Sequence, residues 1–322
     1  FGFSSVVFFQ QQYMQASANS FNNHELIIFK DISRVESLGE EFPSIVSNLL
    51  RQNPLVTNVS GSSSHPGMGV AHRQGISLPN QENEQDYLMD LLAVEPSFRE
   101  TLDIVLVAGR WFDEQRGIDS FRTETERMQL AGSILMNESA IRALGLTATA
   151  ALNQRIVMNA DGQEQLFEII GIYQDIHWQS YHVPINPTVL VLWPNGSDHL
   201  IVRIKQQNKQ AFLQQIDEYL GEQLPAWNAV RANIPKLELQ QLWEAQYKTE
   251  AALLKILLLS TAATLILTLS GILILAARNS QREKKSWAIR KILGEPLSSS
   301  LLLTLRPYLI ISAVVLLFTP VL

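Results

Sequence analysis

Residues 256–277 read ILLLSTAATLILTLSGILILAA, 22 positions without a charge. A helix rises about 1.5 Å per residue, so this run is long enough to cross roughly 30 Å of hydrocarbon. Basic residues follow at once: Arg278, Arg282, Lys284, Lys285, Arg290 and Lys291, against Glu283. Positive charge beside a span favours the cytoplasmic side. A second apolar stretch, Pro307–Leu322, comes next. Together these predict a membrane hairpin with a basic cytoplasmic turn, and they put everything before about residue 250 outside the cytoplasm.

The charge divides at the same boundary. Residues 1–250 hold 17 Lys+Arg against 29 Asp+Glu, whereas 251–322 hold 8 against 2. Nucleic-acid binders neutralise phosphates with a basic surface. Here the large domain is acidic and the basic residues sit beside the span, so no nucleic-acid role is expected. The chain has no cysteine, which excludes disulfides, thiolate nucleophiles and cysteine zinc sites. The outer domain must be held by its own apolar core.

Phe1–Phe9 (FGFSSVVFF) reads as the last turns of a spanning helix, with Gln10–Gln12 and Tyr13 as an interfacial rim; a buried strand is the alternative. It lacks the basic start of a signal peptide. The chain therefore reads as a segment of a longer protein.

Between the apolar ends, strands and helices alternate irregularly. His24–Lys30 reads as a buried strand, residues 40–52 as a helix with Phe42, Ile45, Val46, Leu49 and Leu50 on one face, and Val56–Ser60 as a returning strand, a β-α-β unit. Residues 60–85, rich in Ser, Gly, Pro and Asn, read as an exposed loop. Tyr87–Val94 is a strand, Glu95–Leu102 a short helix and Ile134–Met136 a strand. Asn137 caps the helix Glu138–Leu144, and Gly145 stops it. Arg155–Asn159 and Leu166–Tyr173 are strands joined by the Asp161-Gly162 hairpin signal. Thr188–Trp193 and Leu200–Lys205 follow, with Asn195-Gly196 as the turn between them, then a helix over 209–224. Leu237–Glu250 should be a helix feeding the span, with Trp243 and Tyr247 either at the headgroups or packed on the domain base. Gly109 and Gly171 read as backbone devices, a turn or bulge, in preference to ligand contacts.

The fold class is α+β: a two-lobed extracytoplasmic domain flanked by transmembrane helices. The expected boundaries are 1–21 for a helix end and exit and 22–236 for the core domain, with an outer lobe at about 86–160. A connecting helix at 237–255, a span at 256–277, a cytoplasmic loop at 278–298 and a second span at 299–322 follow.

Four stretches carry a resemblance. They are Ala108-Gly109-Arg110-Trp111-Phe112; Ile134-Leu135-Met136-Asn137-Glu138-Ser139-Ala140; Phe167 through Asp175 (FEIIGIYQD); and Arg282 through Gly294 (REKKSWAIRKILG). In this order, and with this topology, the chain resembles the FtsX-like permeases of the MacB-type ABC transporter family. In the fourth stretch Ser286-Trp287-Ala288 stand where Glu-Ile-Gly is typical. The resemblance implies a MacB-like periplasmic core domain, a place in the bacterial inner membrane as a multi-pass protein, and four spans per unit. It also implies pairing as a dimer of permease units or as a two-unit chain.

Residues 284–293 form an amphipathic helix if helical at all: Ala288, Ile289, Ile292 and Leu293 on one face, Lys284, Trp287, Arg290 and Lys291 on the other. Such a helix lies along membrane lipid, docks into a partner's groove, or serves as a plain basic turn. The resemblance favours docking to a cytoplasmic ABC ATPase through Lys284, Trp287, Ile289, Arg290, Lys291, Ile292, Leu293 and Gly294. The sequence has no G-x-x-x-x-G-K-[ST] phosphate cradle, so the ATP would be hydrolysed by that partner, and no cofactor is expected. His177 and His182 near Asp175 lack the spacing of a metal motif, and no metal is expected. Asp113, Glu114, Asp119, Glu124 and Glu126 read as a solvated acidic loop. Two functions follow. One is a permease that couples ATP hydrolysis to motion of the outer domain and exports or extracts a hydrophobic or amphipathic substrate. The alternative is a non-transporting regulator or sensor that activates a periplasmic partner by the same coupling.

Overall fold

The computed structural model describes residues 23–34, 39, 41–70, 72–79, 86–122, 129–160, 163–179, 183–193 and 197–282, and the single positions 289, 292 and 306. The chain divides into two units, Ser17–Gln246 and Phe1–Ala16 with Tyr247–Leu322. In chain order the first elements are β1 (Leu26–Phe29), α1 (Phe42–Gln52), β2 (Val56–Ser62), β3 (Arg73–Ser77) and β4 (Tyr87–Val94). Then come α2 (Phe98–Leu102), β5 (Leu106–Gly109), β6 (Leu130–Asn137), α3 (Glu138–Ala143) and α4 (Ala148–Ala151). Strands β7 (Arg155–Ala160), β8 (Gln163–Tyr173), β9 (Thr188–Leu192) and β10 (His199–Ile204) lead to α5 (Lys209–Gln223), α6 (Trp227–Val230), β11 (Lys236–Glu238) and α7 (Leu239–Arg282). The fold is α+β, as the sequence led us to expect.

One lobe is the sheet β11-β1-β10-β2 with α1 and α5 on one face. Strand β10 is antiparallel to both β1 and β2. The β-α-β unit expected over 24–60 is therefore split, with β10 inserted between its two parallel strands. The runs LIIF of β1 and HLIVRI of β10 are buried at every position. Central strands covered on both faces need that uniform composition. Ile27, Phe29, Val46, Leu50, Phe212 and Trp227 fill this core, with Trp227 stacked on Phe42 at 6.3 Å. Ile45 is a correction: it is 42% exposed, because α1 buries the narrower stripe Phe42-Val46-Leu50.

The other lobe is a closed ring of six strands. Strand β4 pairs β3, β3 pairs β7, β7 pairs β8, β8 pairs β6, β6 pairs β9, and β9 returns to β4. Inward residues alternate, as a small barrel requires: Met89 and Ala93, Ile156 and Met158, Phe167 and Ile169, Val189 and Val191. Ala140 and Ile141 of α3 and Ala151 of α4 belong to the same core; they cap the end at which β6 finishes. Strands β3, β8 and β9, beyond the 86–160 segment, share this core. The lobes are joined where β2 meets β4 at Ser62 and Val94.

Three further readings are corrected. The loop expected over 60–85 contains β3 and the buried residues Ser62, Ser64 and His65. RQGIS carries one large apolar residue, Ile76, so its alternation is invisible locally, and the strand exists because β4 and β7 pair with its two edges. Strands β9 and β10 are not neighbours but belong to different lobes; Asn195 and Gly196 lie outside the described residues. Leu237 and Glu238, expected to open the connecting helix, pair with β1 as β11.

Candidate functional site

Three of the four family-like stretches hold the second lobe together. Strand β5 runs against β8 with Gly109 opposite Gly171. Gly109 has φ +79°, and a Cβ there would collide with the Ile170 carbonyl; one at Gly171 would collide with the Arg110 carbonyl. Gly171 also closes a bulge, since β6 steps from Ile169 to Gly171 between adjacent residues. The expectation that these glycines are backbone devices holds.

Arg110 then grips Asp119, Nη2 to Oδ1 at 2.8 Å. Ser133 Oγ donates to the same carboxylate at 2.9 Å, and the Asp113 N–H does so at 3.0 Å. Asp119 is fully buried, which corrects its placement in a solvated acidic loop; Glu124 and Glu126 lie outside the described residues. Burial acts to raise its pKa, but the hydrogen bonds from Arg110, Asp113 and Ser133 outweigh it and hold the carboxyl below its ordinary range. Asn137 caps α3 as expected: its Oδ1 accepts from the Ala140 and Thr188 N–H groups, each at 2.9 Å. Asp175 accepts from the Ser139 N–H and Oγ, both at 2.8 Å. With its oxygens so engaged, Asp175 is a brace.

Among the described residues, no three His, Cys, Asp or Glu side chains are grouped to hold a metal. His182 lies outside them and His72 is exposed. His65 and His199 are buried together, ring centroids 4.9 Å apart and edge to face. The Asp31 N–H donates to His199 Nδ1 at 3.0 Å, and His65 Nδ1 meets the Pro66 carbonyl at 2.9 Å. Burial, then the neighbouring His65, lowers the His199 pKa to about 4. Burial also lowers that of His65, against the Pro66 carbonyl bond, which raises it. Both rings are neutral at physiological pH and pack as core.

Helix α7 begins inside the domain. Leu239 and Trp243 are buried, and Gln240 Oε1 bonds His24 Nδ1 at 2.9 Å. Trp243 is thus buried, which fits packing on the domain base; nothing is described of the Tyr247 side chain. The helix continues without a break to Arg282. Its segment Lys255–Leu275 has a mean hydropathy of 2.2, and it is the one helix among the described residues long and apolar enough to cross a membrane. Of the expected docking residues, Ile289 and Ile292 are helical and exposed. Lys284, Trp287, Arg290, Lys291, Leu293 and Gly294 lie outside the described residues, as do residues 1–22 and Pro307–Leu322.

Sequence reasoning missed a cavity of about 160 Å³ at the open end of the ring. Leu91, Met158 and Val191 form its inner wall and Phe121 and Trp193 its aromatic lip, with Gln74 and Asn159 also among the residues that line it. The lip is a cluster: Phe121 lies 5.4 Å from Trp193 and 5.7 Å from Phe167. The inward alternation of β4, β7 and β9 was readable; that these strands converge on one opening was not.

No family model matches the chain, and no curated protein matches it. Among solved structures, it is similar to the periplasmic region of MacB from Actinobacillus actinomycetemcomitans. The identity is 11%, over 72% of this chain and 97% of that one, with a TM-score of 0.45. It is also similar to the extracellular domain of the noncanonic ABC-type transporter YknZ from Gram-positive bacteria. There the identity is 13%, over 58% of this chain and 87% of that one, with a TM-score of 0.37.

Proposed function

We propose that this chain is the permease of an ABC system, coupling ATP hydrolysis by a separate cytoplasmic ATPase to motion of its outer domain. The substrate it exports or extracts is hydrophobic or amphipathic. The observation that carries the reading is α7: one helix starts with the buried Leu239 and Trp243, contains the apolar Lys255–Leu275 and runs on into the basic segment that begins at Arg278. The four family-like stretches and the charge reversal at residue 250 support it. In this reading the main domain is periplasmic or extracellular, the chain is multi-pass, and Lys284–Gly294 meet the ATPase. Metal, cofactor and catalytic residue have no part in it.

The test is co-purification. The full chain, solubilised in mild detergent, is expected to retain an ATPase of the ABC class, and replacing Trp287, Arg290 and Leu293 with Ala should reduce its recovery at least tenfold. Retention unchanged by the triple replacement would remove the docking surface. Vesicles holding both proteins then separate the two functions: ATP-dependent substrate movement supports transport, and ATP turnover with only activation of an outer partner supports the regulator.

A further inference from the structure

We propose that the open end of the six-stranded ring is a binding site for one uncharged aromatic ring bearing a hydrogen-bonding substituent. Size sets the first limit. A cavity of about 160 Å³ is close to the roughly 150 Å³ apolar cavity that takes up benzene. It has room to bury a single ring.

The lining sets the second limit. Leu91, Met158 and Val191 give an apolar wall, and among the described residues no charged side chain lines the space. A carboxylate or ammonium would lose its hydration there and gain no counter-charge. Phe121 and Trp193 favour a ring over a linear chain, because edge and face contacts between aromatic groups add to simple burial. Trp193 is also accessible, at 39% exposed. Gln74, on the same side of β3 as the inward Ile76, also lines the space, and its amide can bond the substituent while the ring is buried.

The fold sets the third limit. Ala140, Ile141 and Ala151 pack into the same core from the other end of the ring, so the site is a blind pocket and not a passage. A molecule that enters leaves by the same opening. The inference deepens the transport reading, on which it rests, by naming where the outer domain touches an amphipathic substrate.

The probe is benzyl alcohol, added to the full chain in detergent, with ¹³C-methyl methionine as reporter. The Met158 methyl resonance should shift and saturate, while those of Met89 and Met136, deeper in the same core, move far less. Leu91→Phe, which fills a half-buried part of the wall, should weaken the response at least about tenfold. Val191→Phe serves as a second filling variant should the first fail to fold. Gln74→Ala should weaken benzyl alcohol but leave toluene unchanged. Phenylacetate, the same ring with a charge, should bind at least about tenfold less well. A linear drift shared by all methionines, or a saturable shift unaltered by the filling variants, overturns the proposal. The ATPase takes no part, so a failed titration leaves the transport reading standing, and failed co-purification leaves this site standing.

Discussion

At the scale of single residues, two groups of opposite type contribute to the acid response of the domain. His199 is buried and neutral, with its pKa lowered to about 4 against roughly 6.5 in an unfolded chain. The unfolded state therefore binds the extra proton first. The His199 contribution is complete above about pH 6.5 and is lost progressively as the pH falls toward about 4, on the order of 3 kcal/mol in all. His65 acts in the same direction. Asp119 adds stability that is complete above the usual carboxylate range, about pH 4, and is lost only below it, so the two windows separate. Urea unfolding at a series of pH values should show stability falling between about 6.5 and 4, and His199→Gln should flatten that slope. An unchanged slope would mean that the ring is not the group that titrates. Asp119 and Arg110 also mark a limit of legibility. A run of Asp, Glu and Arg between Arg110 and Glu126 looks solvated, and no local signal singles out Asp119 as a carboxylate that turns inward to Ser133.

At the scale of elements, the long or uniformly apolar segments were legible and the short polar ones were not. Helices α1 and α5, strands β1, β4, β8 and β10, and the Asn137 cap follow from period, composition and capping chemistry. Strand β3 does not, because RQGIS gains its structure from its two neighbours. The start of α7 was misplaced by two residues because Leu237 serves a sheet edge. Within α7, Trp243 is the decisive residue: it is buried in the domain base, whereas a headgroup anchor would face solvent and lipid. Trp243→Ala should cost about 3 kcal/mol of domain stability, the usual scale for emptying a buried aromatic site. Thermal or urea unfolding of the outer domain would report it. A loss below about 0.5 kcal/mol, typical of surface positions, would place the indole outside the core.

At the scale of the whole molecule, the closed ring was illegible because closure depends on pairings far apart in sequence, above all β4 with β9. Local alternation tells which residues point inward; it does not tell that six strands share one interior, nor that a cavity lined by Phe121 and Trp193 lies at one end of it. The charge division, by contrast, was readable from composition and bears on how the chain lies across a membrane. The acidic 1–250 segment and the basic 251–322 segment predict opposite sides of one bilayer. Because the chain has no cysteine, single introduced thiols report this directly. Glu222→Cys, at an exposed position on α5, should react with a membrane-impermeant maleimide in spheroplasts. Arg282→Cys, exposed at the end of α7, should react only after permeabilisation. Labelling of Arg282→Cys in sealed spheroplasts would put the basic segment outside, and no cytoplasmic ATPase could then reach it.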